Sequence, residues 1–110
     1  MADTALNVLE PFVARGLFAN SEEAATEMAR IYILRQIQRH QAVIDRLEAK
    51  YGMSYEQFVA YLQVRSQTLA DTPNPELNQA IMAEEEDALD WKIAREMLSS
   101  WLGLQTEVRL

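Results

Sequence analysis

Apolar residues recur along the chain at spacings of three, four and seven, and no stretch sustains a two-residue alternation. The pattern predicts helices throughout. Gly16, Asn20-Ser21, Gly52, Pro73-Asn74-Pro75 and Gly103 punctuate it. The first stretch runs from about Leu6 to Gly16, with Leu6, Leu9, Phe12 and Val13 at helical spacing. Pro11 removes a backbone N–H there, so the helix either starts near Glu10 or kinks. Gly16 is its expected stop.

The second stretch predicts the longest helix before the linker, from about Glu22 to Tyr51, roughly 30 residues and ~45 Å. Ser21 or Asn20 can cap it. Glu22, Glu23 and Glu27 lie early and Arg46 and Lys50 late, as the helix dipole favours, and Gly52 ends it. From Ala24 to Leu34 the apolar residues go all round, which calls for burial on every side. A narrower seam follows. Ile37, Ile44 and Tyr51, and likewise Ile33, His40 and Leu47, lie seven apart, as in the a and d positions of a short heptad pattern. A small chain cannot easily cover both regions. A second copy packed across Ala24–Leu34 is therefore expected, with Ala24, Met28, Ile31, Ile33, Ile37, His40, Ile44 and Leu47 at the dimer interface.

Ser54-Tyr55-Glu56-Gln57 reads as a capping box opening a third helix from Tyr55 to Leu69 or Ala70. Tyr55, Phe58, Val59, Leu62 and Leu69 share one side of it. After the Asp71–Pro75 linker, Asn74 caps a fourth helix with Pro75 at its first position. That helix reaches about Leu102, with Trp91, Ala94, Leu98 and Trp101 on its apolar side. Glu84-Glu85-Glu86-Asp87 interrupts it, leaving open whether it is continuous or broken. The expected fold is all-α, a single domain of four to five helices around a long central helix, in an intertwined homodimer.

Composition narrows the chemistry. A chain of 110 residues suits one domain with a small core. The absence of cysteine excludes a disulfide scaffold, a thiolate metal site and a cysteine nucleophile. The longest aliphatic and aromatic run, Ile31 to Leu34, falls far short of the ~20 residues of a membrane span. Met1-Ala2-Asp3-Thr4 lacks the basic start and apolar core of a secretory signal, so a cytoplasmic location is expected. Three glycines give no phosphate-binding loop, and His40 and Ser99-Ser100 have no triad context. No catalytic residue, cofactor or metal is expected.

Charge divides the chain. Of the net −7, residues 1–70 carry −1 and residues 71–110 carry −6. That balance argues against nonspecific nucleic-acid binding by the whole molecule. Arg35, Arg39, Arg46 and Lys50 still form a basic stripe, within about 60° of one another at ~100° per residue. The stripe can contact phosphates, the acidic run of the same or another chain, or only solvent. His40 reads as a register-setting polar residue or a proton switch. Glu84, Glu85, Glu86, Asp87 and Asp90 lack the Glu-x-x-His partner of a carboxylate-bridged metal bundle, so they read as a solvated or partner-facing patch. Trp91 and Trp101 serve either as core or as anchors for a partner.

The segment from Leu9 to Ala29 resembles the helical half of ribbon-helix-helix antitoxins, such as the ParD-like proteins of bacterial toxin–antitoxin pairs. Gly16, Phe18, Ser21, Glu22, Ala24 and Ala29 carry the resemblance, which extends over roughly residues 6–50. It implies a dimer-forming helical half followed by an extension that binds and covers a toxin. In the family a basic or polar β-strand precedes the first helix and reads DNA. Only Met1 to Ala5 stand there, with Asp3 and no Lys or Arg, so the DNA-reading strand is not expected. The resulting expectation is a non-enzymatic, antitoxin-like homodimer that masks a basic protein, such as an RNase-type toxin. The contacts would come from Glu84, Glu85, Glu86, Asp87, Trp91 and Trp101. The alternatives are a DNA-binding regulator using Arg35, Arg39, Arg46 and Lys50, and a structural adaptor within a larger complex.

Overall fold

A computed structural model describes residues 7–108. Among them the chain is all-α, with no strand and four helices in order: α1 (Glu10–Ala14), α2 (Ser21–Tyr51), α3 (Tyr55–Asp71) and α4 (Pro75–Val108). The expected helix start at Leu6, and Met1 to Ala5 before it, lie outside the described residues.

Helix boundaries follow local chemistry. Pro11 sits in the first turn of α1, where its missing N–H costs nothing, so the helix starts at Glu10. Beyond Ala14 the N–H of Gly16 donates to the Val13 carbonyl and that of Leu17 to the Phe12 carbonyl, with Gly16 at φ 75°. This is a Schellman stop, which a glycine enters without strain. Asn20, rather than Ser21, caps α2: its Oδ1 accepts from the Glu23 N–H at 2.8 Å. Gly52, at φ 64°, ends α2. Both arms of the Ser54–Gln57 capping box are present. Asn74 Oδ1 accepts from the Glu76 and Leu77 N–H groups at the start of α4.

Helix α4 departs from expectation at its far end. It passes through Glu84–Asp87 unbroken and continues beyond Leu102 and Gly103. Glutamate is a good helix former, and one interior glycine costs only about 1 kcal/mol, which the surrounding helix absorbs.

The chain divides into two compact units, one of Met1–Ile37 with Trp101–Leu110 and the other of Gln38–Ser100. The latter holds the main core. Ile44 and Leu47 of α2, Phe58 and Leu62 of α3, and Trp91 and Ala94 of α4 are buried together. Trp91 is 0 % exposed. The Phe58 ring lies 4.1 Å from that of Tyr51 and 5.6 Å from that of Trp91, centroid to centroid. Ion pairs Arg95–Glu56 (2.8 Å) and Arg65–Glu84 (3.0 Å) show α4 antiparallel to α3.

In the first unit Leu9, Ala24 and Ile33 are buried. Tyr32 and Trp101 meet edge to face, with ring centroids 5.7 Å apart. Glu27 and Arg30 form an exposed ion pair one turn apart on α2.

Candidate interaction surfaces

The expected dimer seam turns inward within its own chain over its second half. Ile44 and Leu47 pack in the same core as Phe58 and Trp91. They offer no face to a second copy, because α3 and α4 supply the opposing wall. Ala24 and Ile33 are likewise buried within the first unit. Met28, Ile37 and His40 are half-buried, and Ile31 is exposed. Exposed apolar side chains of the first unit include Ile31, Tyr32 and Leu34 of α2, with Val8, Phe12 and Leu17 near α1. The all-round apolar segment thus leaves three large side chains in solvent.

The acidic run of α4 is sorted by its helical phase. Glu84 and Asp87, one turn apart, point inward and are neutralised. Arg65 Nε donates to Glu84 at 3.0 Å. Lys50 Nζ and the Tyr51 hydroxyl both donate to Asp87 Oδ2. The Lys50 hydrogen bond, then that from Tyr51, holds the Asp87 carboxyl below the usual carboxylate range against the opposing effect of burial. Burial first, then the Asp87 hydrogen bond and charge, pushes the Tyr51 phenol up. Glu85, Glu86 and Asp90 face outward and are exposed. Across α3, Arg95 stands 4.4 Å over the Tyr55 ring while pairing with Glu56. A hydrogen bond from its own backbone, then Arg95, holds Glu56 low.

No protein-family model, curated protein or solved structure matches this chain. Trp91 is a core residue, so its indole is not available as a partner anchor. Trp101 belongs to the first unit and is half-buried against Tyr32. Of the basic stripe, Lys50 is engaged by Asp87, while Arg35, Arg39 and Arg46 are exposed. Among the described residues, no group of three or more acidic or histidine side chains is placed to hold a metal. Nor is any described helix long and apolar enough to cross a membrane.

A further apolar surface lies on α4, and of its residues only Met97 belongs to the tryptophan cluster that the sequence pattern suggests. Met82, Leu89, Ile93 and Met97 line the outward side of α4, exposed by 60, 56, 47 and 39 %. Their spacing of seven, four and four is a helical stripe within about 80° of arc, and Leu89 and Ile93 each lie about 160° from Trp91. That periodicity was available in the sequence. The two tryptophans dominate the apolar character of α4 by size, and they mask the smaller stripe of Met82, Leu89 and Ile93 on the other side.

Proposed function

We propose that this chain is a non-enzymatic helical interaction module, antitoxin-like in organisation. It self-associates through its first unit and engages a basic protein through α4. The observation that carries this is the imbalance of that first unit. Among the described residues, Leu9, Ala24 and Ile33 are its buried apolar residues, while Ile31, Tyr32, Leu34, Phe12 and Leu17 are among those in solvent. Exposed apolar side chains concentrated on one part of a small chain are typical of a surface that another chain covers. The occupant that fits is a second copy, because an Ala-rich helix with Ile31 and Leu34 one turn apart presents a self-complementary ridge. The resemblance to the dimer-forming half of ribbon-helix-helix antitoxins falls on this same segment. For the basic partner, support comes from the net −6 of residues 71–110.

Light scattering at micromolar concentrations tests the self-association. The intact chain is expected at twice its 12.6 kDa mass. Ile31→Glu combined with Leu34→Glu is expected to give a monomer of unchanged helicity by circular dichroism. A monomeric parent chain, or a dimer indifferent to both substitutions, overturns the proposal.

A further inference from the structure

We infer that the outward stripe of α4, Met82-Leu89-Ile93-Met97, is the docking face for a cationic amphipathic helix of another protein. This deepens the basic-partner half of the proposed function and rests on it. It also moves the contact away from Trp91, Glu84 and Asp87, which serve the chain's own packing.

The charges beside the stripe select the occupant. Glu86 falls within it, between Ile93 and Met97 on the helical wheel. Glu85 and Glu96 flank it on the α3 side: Glu85 borders a shallow depression with Val59 and Gln63, and Glu96 borders another with Tyr55, Lys92 and Arg95. Asp90 flanks it on the α2 side, where Arg39 and Arg46 line a depression with Ile93. Among the described residues, none of Glu85, Glu86, Asp90 and Glu96 is in an ion pair, whereas Glu84 and Asp87 on the inward side both are. An apolar stripe that carries Glu86 within it and carboxylates outside any ion pair along its borders is the complement of a helix with an apolar seam flanked by lysines or arginines.

A second copy of this chain fits the stripe poorly. A parallel copy in register sets Glu86 beside its own mate. An antiparallel copy centred between Leu89 and Ile93 sets Glu86 opposite Glu96. Either arrangement opposes like charges at close range, which disfavours pairing. The stripe and the apolar ridge of the first unit therefore call for different occupants.

The test uses the full chain and a fluorescein-labelled three-heptad synthetic helix, with leucine at a and d and lysine elsewhere. A matched helix with glutamate in place of lysine serves as the comparison, and anisotropy is read at low and physiological ionic strength. The lysine helix is expected to bind and the glutamate helix not to. Leu89→Ser with Ile93→Ser, and separately Glu85→Lys with Glu86→Lys, should each weaken binding about tenfold or more, or about 1.4 kcal/mol. Asp45→Lys with Glu48→Lys, which changes net charge by the same amount on α2, should weaken it far less. Absence of any binding by the lysine helix overturns the basic-partner reading and this inference with it. Binding that ignores the α4 substitutions, or that falls equally with the α2 pair, overturns the stripe alone.

Discussion

The Tyr51 hydroxyl donates to Asp87 Oδ2 at 2.5 Å, and the same oxygen accepts from Lys50 Nζ at 2.7 Å. One carboxylate thus joins the last turn of α2 to the middle of α4. Its side chain is 16 % exposed and that of Lys50 is 54 % exposed, so the bond to Tyr51 is the better shielded of the two. The exposed ammonium is screened by water and contributes little to stability.

The pair sets opposite limits on stability with pH. Asp87 titrates lower in the folded chain than the ~3.9 of a free aspartate, so its contribution is present above that value and is lost as pH falls through the folded value. Tyr51 titrates higher than the ~10 of a free tyrosine, so its contribution is present below that value and is lost as pH rises above it. Urea midpoints measured across pH should show Asp87→Asn flattening the acid side and Tyr51→Phe flattening the alkaline side. Profiles parallel to the parent chain in both variants would remove the pair from the pH response.

The two tryptophans should differ sharply in what they contribute. Trp91 is fully buried, with the rings of Phe58, Tyr51 and Tyr55 beside it, so Trp91→Ala should cost about 3–5 kcal/mol. Trp101 carries a buried Nε1–H with no hydrogen-bond partner among the described residues. Trp101→Phe removes that unsatisfied donor and keeps a ring against Tyr32, so it should stay within about 1 kcal/mol of the parent. Urea unfolding followed by circular dichroism measures both. A loss at Trp101→Phe as large as that at Trp91→Ala would contradict the assignment of the core.

Helix ends were legible in the sequence because they depend on neighbours within a few residues. Asn20, Ser54-Gln57, Asn74-Pro75, Gly16 and Gly52 act locally, and each appears where its chemistry places it. The heptad seam was legible as a buried face, but not by what it is buried. Periodicity gives the phase of Ile44, Leu47 and Tyr51, and the same phase suits a second copy or the chain's own α3 and α4. The acidic run misled for a related reason. Read as four consecutive charges it looks like one patch, yet a 100° step sends Glu84 and Asp87 inward and Glu85 and Glu86 outward. Glycine often ends helices, which makes Gly103 resemble a stop, yet the helix around it prevails.

Capping predicts a modest, specific loss. Ser54 Oγ accepts from the Gln57 N–H at 3.2 Å, and Gln57 Oε1 accepts from the Ser54 N–H at 2.9 Å. Ser54→Ala frees one donor at the start of α3 and should cost about 1 kcal/mol. Gln57→Ala frees the other and should cost less than Ser54→Ala. Because the two bonds form one reciprocal box, the double variant should cost less than the sum of the singles. Strict additivity in urea midpoints would mean the two arms act independently.

Two glycines separate backbone strain from space. An added Cβ at Gly52 or at Gly103 meets nothing within 4 Å, so neither substitution is blocked by a neighbour. They differ in backbone conformation. Gly52 holds φ at 64°, where a side chain costs about 1–2 kcal/mol, whereas Gly103 lies inside α4 and is not among the glycines at positive φ. Gly52→Ala should therefore destabilise by about that amount. Gly103→Ala should stabilise by roughly 0.5–1 kcal/mol, since alanine limits the unfolded chain and favours the helix. Thermal unfolding would place the two variants on opposite sides of the parent chain. A destabilising Gly103→Ala would mean that α4 does not run uninterrupted through that position, and that the stop read from the sequence operates there after all.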